Sequence, residues 1–250
     1  MSKIQNDINE KMRAILIDWL VDVHLKFKLL PETLFLTVNI IDRYLGIVPI
    51  VRQKLQLVGV SAMLIATKYE EIYPPEVKDF EYVTDKAYNR AEILDMEGKI
   101  LSTLNFNLTH TSAYRFLERY AKVAGFDEKS FSLARYLLEL ALIEYKMLKY
   151  IPSNMAAASV YLVNKILKRE GWPDIMVKQA KYSESQIRPC AKDLCVLLQN
   201  AGKGNLTAVK RKFSNPKFHE VAKIQLDKLW MFFNFRLKGF LFWRKKKRVT

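Results

Sequence analysis

Apolar residues recur along this chain at the three- and four-residue spacing of amphipathic helices, and the runs are broken at proline or glycine. The pattern predicts helices over 8–29, 32–45, 51–71, 75–83 and 89–104, then over 111–124, 128–148, 153–170, 173–181 and 183–200. Pro31, Gly46 to Pro49, Pro74-Pro75, Gly125, Pro152 and Gly171 to Pro173 mark the breaks, since neither residue favours continuing a helix. Thr111 and Ser153 are the expected N-caps.

Five helices followed by five more suggest a repeat. At an offset of 94, Tyr88, Ile93, Ile100 and Leu104 fall on Tyr182, Ile187, Leu194 and Leu198. The small-residue stretch "VSAMLIATKY" also resembles "MAAASVYLVNK", and small residues let neighbouring helices approach a central one. The expected fold is therefore all-α, in two tandem five-helix repeats, with a division near residue 108.

The first helix has too much apolar surface. In "MRAILIDWLVDVHLKF" (12–27), Ala14, Ile17, Val21 and Leu25 share one side, while Met12, Ile15, Leu16, Trp19 and Val23 lie roughly opposite. A surface helix needs only one apolar stripe. The Ile17/Val21 side is expected in the core of the first repeat, which leaves the other stripe in search of a partner.

Charges inside apolar runs are the second anomaly. Arg13 interrupts "KMRAIL" and Asp42 interrupts "NIIDRYL". A buried charge costs several kcal/mol unless paired, so Arg13 and Asp42 are predicted to pair across the first two helices. Lys68 and Glu97 present the same choice between an internal bridge and a partner. The consecutive Glu70-Glu71 reads as a solvated face.

Half of the residues are hydrophobic and 12% are aromatic, which excludes a disordered chain. The net charge of +15 first suggests nucleic acid, but its distribution changes that picture. Residues 1–108 carry 13 basic and 15 acidic side chains, residues 109–203 carry 15 and 9, and residues 204–250 carry 13 and 2. The excess thus lies mainly in a basic C-terminal extension, 204–250, set apart from repeats at 1–108 and 109–203. Within it "KLWMFFNFRLKGFLFWRKKKR" (228–248) mixes seven aromatics with a basic cluster from Arg244 to Arg248. It is too short and too interrupted to span a bilayer; an interfacial membrane contact or a nuclear-localisation patch are its functional readings.

Catalytic and metal chemistry find no support. His24, His110 and His219 are scattered, Cys190 and Cys195 form no ligand pattern, and no HExxH, GxSxG, Walker A or GxGxxG occurs. No enzyme activity, cofactor or metal is expected. The absence of an N-terminal signal pattern and of a disulfide framework points to an intracellular, soluble protein, nuclear and cytoplasmic.

"MRAILIDWLVDVHLKFKLLPETLFLTVNIIDRYL", "KLQLVGVSAMLIATKYEEIYPPEVKDF" and "MEGKIL" strongly resemble the cyclin box of mitotic cyclins. "VHLKFKLLPETL" and "LIEYKMLKYIPSNMAAAS" lean towards the B-type. The resemblance runs from about residue 8 to about 225 and is more diffuse in the second repeat. It implies a non-catalytic regulatory subunit that binds and activates a cyclin-dependent Ser/Thr kinase as a heterodimer in G2/M control.

The resemblance carries site residues with it. It implies kinase contacts through Lys68 and Glu97, with Ile72, Tyr73 and Phe80 as apolar neighbours. It also implies a docking groove for Arg-x-Leu segments of substrates or inhibitors at Met12, Ile15, Leu16, Trp19 and Gln56, with Asp22 and nearby carboxylates receiving the basic residue. Arg13 and Asp42 match the family's structural ion pair. No RxxL destruction box is seen in the ten or so residues before the first helix, and the stretch after about 226 does not resemble the family. The alternative is a cyclin-fold transcription factor that binds DNA, favoured by the basic second repeat and tail but opposed by the acidic first repeat; a membrane-associated scaffold built on the tail is a third reading.

Overall fold

The computed structural model describes residues 4–224. Among these, α-helices dominate and no strand occurs. The first repeat comprises α1 (Glu10–Lys26), α2 (Pro31–Leu45), α3 (Leu55–Glu70), α4 (Val77–Val83) and α5 (Arg90–Thr103). The second comprises α6 (Ala113–Val123), α7 (Glu128–Ile143), α8 (Pro152–Ile166), α9 (Asp174–Ala180) and α10 (Glu184–Asn200). A short α11 (Ala208–Phe213) follows.

Local chemistry explains most of the boundaries. Pro31 and Pro152 do not merely break helices; each occupies the first turn of the next one, where its missing N–H costs nothing. Ser153 consequently lies inside α8, behind an Ile151 N-cap, and its hydroxyl pairs with that of Tyr182 at 2.8 Å. Ser112, one residue past the expected Thr111, caps α6 by accepting the Arg115 N–H. The expected 51–71 helix opens with a separate 3-10 turn, Arg52–Lys54. The 128–148 helix stops at Ile143, and a second 3-10 turn, Tyr145–Lys149, follows it.

α3 and α8 are the central helices. Buried residues cover all of α3 from Leu57 to Thr67 and all of α8 from Ala156 to Asn164. Gly59 lets α1 lie directly on α3: a Cβ there would stand 2.7 Å from Leu16 Cδ1. The offset pairs also hold corresponding places, Ile93, Ile100 and Leu104 in the first core and Ile187, Leu194 and Leu198 in the second.

The two faces of α1 are divided differently from expectation. Leu16, Leu20 and Val23 belong to the first core. Val21 packs instead into the second core, together with Leu34 and Phe35 of α2. One apolar side of α1 thus faces its own repeat and another joins it to the next. The C-terminal extension is likewise not set apart as a whole, since Ala208, Val209, Phe213 and Val221 are buried in the second core. The aromatic and basic stretch 228–248 lies outside the described residues.

Candidate functional site

α1, α2, α3 and α5 carry the groups that sequence analysis singled out, and the structure sorts them into paired, buried and exposed sets. Arg13 is 1% exposed. Its Nε and Nη2 donate to the two carboxylate oxygens of Asp42 at 2.6 and 2.7 Å. Its Nη1 also donates to the carbonyls of Leu142 and Ile143, at 3.1 and 3.2 Å. These are C-terminal carbonyls of α7, which lack helical donors. One guanidinium therefore joins α1 and α2 and fastens both to the second repeat.

The ends of α3 and α5 present the Lys68–Glu97 pair. Lys68 Nζ donates to both Glu97 oxygens, at 2.9 and 2.8 Å. Lys68 keeps 47% of its side-chain surface and Glu97 only 12%. The carboxylate is thus a largely covered anchor, and the ammonium retains donor capacity towards solvent or a partner.

Beside this pair the loop after α3 is held from below. The Glu71 carboxylate accepts the Leu30 N–H at 2.8 Å and the Thr33 hydroxyl at 2.5 Å. It thereby ties the loop after α3 to the N-terminus of α2, where Leu30 itself offers no side-chain cap. Glu71 is thus not the solvated carboxylate expected from Glu70-Glu71. The anchored loop holds Ile72 and Tyr73 outward, 85% and 92% exposed. Phe80 departs from its assigned place: it is fully buried in the first core, edge-on to Phe27 at a centroid distance of 5.4 Å. It presents no surface to a partner.

The apolar stripe of α1 is also divided. Ile15 is exposed, Met12, Trp19 and Gln56 are half-buried, and Leu16 is buried against Gly59. Leu16 therefore belongs to the floor of the repeat. Trp19, Asp22, Val23, Lys26, Tyr82, Val83 and Asp85 line one recess, over which Lys26 Nζ stands 4.5 Å from the Tyr82 ring centroid. The acidic side of this stripe is already engaged. Asp22 accepts two bonds from Arg211 Nη2 at 2.7 and 2.6 Å. Asp18 accepts the Ala208 N–H at 3.0 Å; burial pushes its carboxyl up, against the backbone N–H groups of Ala208 and Thr207.

α11, which periodicity did not reveal, brings these partners. On its inner side Lys212 is completely buried and donates to both Glu139 oxygens at 2.8 and 2.7 Å, while Arg135 Nε reaches Glu139 Oε1 at 2.9 Å. Burial pushes Lys212 down to about 8, against the pull of Glu139. Burial works the other way on Glu139, but Lys212 and Arg135 outweigh it and hold its carboxyl below the usual range. His24 lies within the same field; burial and then Lys212 push it down to about 3.

Cys190 and Cys195 are buried free thiols, both pushed up by burial. Among the described residues no group of three His, Cys, Asp or Glu side chains is arranged to hold a metal ion, and no helix is long and apolar enough to cross a membrane.

The two helical repeats are thus fastened together through the Arg13 guanidinium and the α7 carbonyls, and the first of them leaves Lys68, Ile72 and Tyr73 exposed. Residues 1–109 match the cyclin N-terminal domain and residues 111–227 the cyclin C-terminal domain. The chain is 47% identical over 224 residues to the G2/mitotic-specific cyclin-B of Dictyostelium discoideum, covering 89% of this chain and 51% of the relative. It is 50% identical over 222 residues to Cyclin-B2-1 of Arabidopsis thaliana, covering 88% and 52%. Among solved structures, a viral cyclin from herpesvirus saimiri superposes with a TM-score of 0.71 at 18% identity, over 82% of this chain and 90% of that one. The chain belongs to the cyclin family, and the relatives it matches at about half identity are B-type mitotic cyclins. It spans about half the length of those curated relatives.

Proposed function

We propose that this chain binds and activates a cyclin-dependent Ser/Thr kinase as a non-catalytic regulatory subunit acting at G2/M. The observation that carries the reading is the juxtaposition of Lys68, Glu97, Ile72 and Tyr73: a carboxylate-anchored ammonium beside two large apolar side chains that a single chain leaves exposed. An ammonium with unused donors can bind carbonyls of a kinase helix, and the exposed Ile72 and Tyr73 supply buried area once the partner docks. Activation follows from differential binding. The partner's mobile αC helix is held in the state that sets its glutamate against the ATP-positioning lysine.

The Met12/Ile15/Trp19 stripe with Gln56 is the proposed docking groove for segments of substrates or inhibitors, including the leucine of Arg-x-Leu motifs. The relatives' names support the cell-cycle assignment, and nuclear and cytoplasmic residence accompanies it. The test is co-purification of a kinase subunit from proliferating cells together with an activity assay. Phosphorylation of a protein substrate should require both chains, and failure of capture and of activation would refute the reading.

A further inference from the structure

The carboxylate expected to receive a docking peptide's basic residue already holds one. Arg211 reaches Asp22 from α11, 189 residues away in sequence, with Nη2 bonds of 2.7 and 2.6 Å to both oxygens. Its Nη1 donates to Thr207 Oγ1 at 3.0 Å, which fixes the guanidinium from behind. Asp18, one turn earlier on α1, is committed to the Ala208 N–H.

Exposure decides what this pair means. Arg211 and Asp22 keep 59% and 45% of their side-chain surface. A buried pair would be permanent architecture, whereas an exposed one is held weakly and can exchange with a competing guanidinium. Asp22 is thus the carboxylate of this recess that an arginine already occupies, while Lys26 stands over the Tyr82 ring.

We propose that Arg211 is a specificity-determining residue, standing in for the basic residue of a docking peptide, so that the Met12/Ile15/Trp19 stripe takes partner segments by their apolar anchor without selecting arginine. The occupant is an extended partner segment with a leucine-type anchor and a neutral residue where Arg-x-Leu motifs carry arginine. This inference rests on the reading of the α1 stripe as a docking groove.

Fluorescence anisotropy of the full chain with two labelled peptides, one Arg-x-Leu and one Ala-x-Leu but otherwise identical, separates the two ideas. The native chain should bind both within about twofold. Arg211→Ala and Arg211→Gln should each favour the arginine peptide by roughly three- to fivefold, the scale of one exposed ion pair. Asp22→Asn added to Arg211→Ala should erase that preference. A clear arginine preference in the native chain, or an unchanged ratio in both Arg211 variants, would overturn the role of Arg211. Ile15→Ser, at an exposed position, reports on the groove itself and should weaken both peptides. If it weakens neither, or if neither peptide binds any variant, the groove reading falls and the proposal with it.

Discussion

Arg13 and Asp42 meet through two N–H···O bonds of 2.6 and 2.7 Å while the same guanidinium closes the end of α7 at Leu142 and Ile143. Four bonds from one buried side chain join three helices in two repeats. Val21, Leu34 and Phe35 also carry first-repeat helices into the second core. The repeats are therefore coupled by polar and apolar groups together.

Removing one partner of such a pair leaves the other buried and unpaired, a loss of about 3–5 kcal/mol. Arg13→Ala should fall in that range in urea denaturation, with the midpoint moving to lower denaturant. Arg13→Lys should recover only part, because an ammonium cannot reproduce the bidentate fork. Equal stability of Arg13→Ala and the native chain would contradict the junction.

His24 makes stability depend on acid. Its ring is buried, with one nitrogen 2.9 Å from the Leu30 carbonyl, and its pKa is pushed down to about 3 by burial and by Lys212. The unfolded chain takes up a proton below about 6.5 that the folded chain refuses, so stability falls as pH falls through this window. Between pH 6.5 and pH 5 the loss from His24 should approach about 2 kcal/mol. His24→Gln should remove most of that slope in denaturation series at several pH values, with His110, also pushed down by burial, supplying a same-signed remainder.

The parts of this molecule visible in sequence are those whose signals are local. Arg13 and Asp42 stood out because each breaks an apolar run, Lys68 because it follows one, and Glu97 because it sits between Met96 and Ile100. The repeat was legible because central helices need small residues at regular intervals. α11 was not: six residues hold barely two turns, and its partners Asp18, Asp22 and Glu139 lie far away along the chain. Its basic composition read as part of an extension set apart from the repeats, although Lys212 is buried and Arg211 paired. Phe80 shows the converse limit. An aromatic just past an exposed loop has the same local pattern whether it points out or in, and only the position of Phe27 decides it.

The Lys68–Glu97 pair should matter to partnership more than to folding. Lys68 is nearly half exposed, and exposed pairs contribute little, roughly 0–1 kcal/mol. Lys68→Ala should therefore leave the denaturation midpoint close to native. Loss of a charged donor from a desolvated interface costs about 2 kcal/mol or more, so kinase capture should weaken by at least tenfold. A Lys68→Ala, Glu97→Ala protein that activates its kinase fully would remove this face from the proposed site.

Glu71 makes a separable prediction because it acts from beneath the same face. Its carboxylate closes the N-terminus of α2 through Leu30 and Thr33, while the residues that follow it project Ile72 and Tyr73 into solvent. Glu71→Ala removes the acceptor of both the Leu30 N–H and the Thr33 hydroxyl and should cost about 1–2 kcal/mol. Glu71→Gln keeps an acceptor for the Leu30 N–H and should cost less. The double variant Ile72→Ser, Tyr73→Ser changes only exposed side chains, so it should leave stability within about 0.5 kcal/mol of native while reducing kinase capture. Denaturation midpoints measured beside capture yields distinguish the two roles: Glu71→Ala should lower both, the Ile72/Tyr73 variant only the second. If Glu71→Ala left stability unchanged, the tether between α3 and α2 would carry no weight, and the loop's outward pose would need another support.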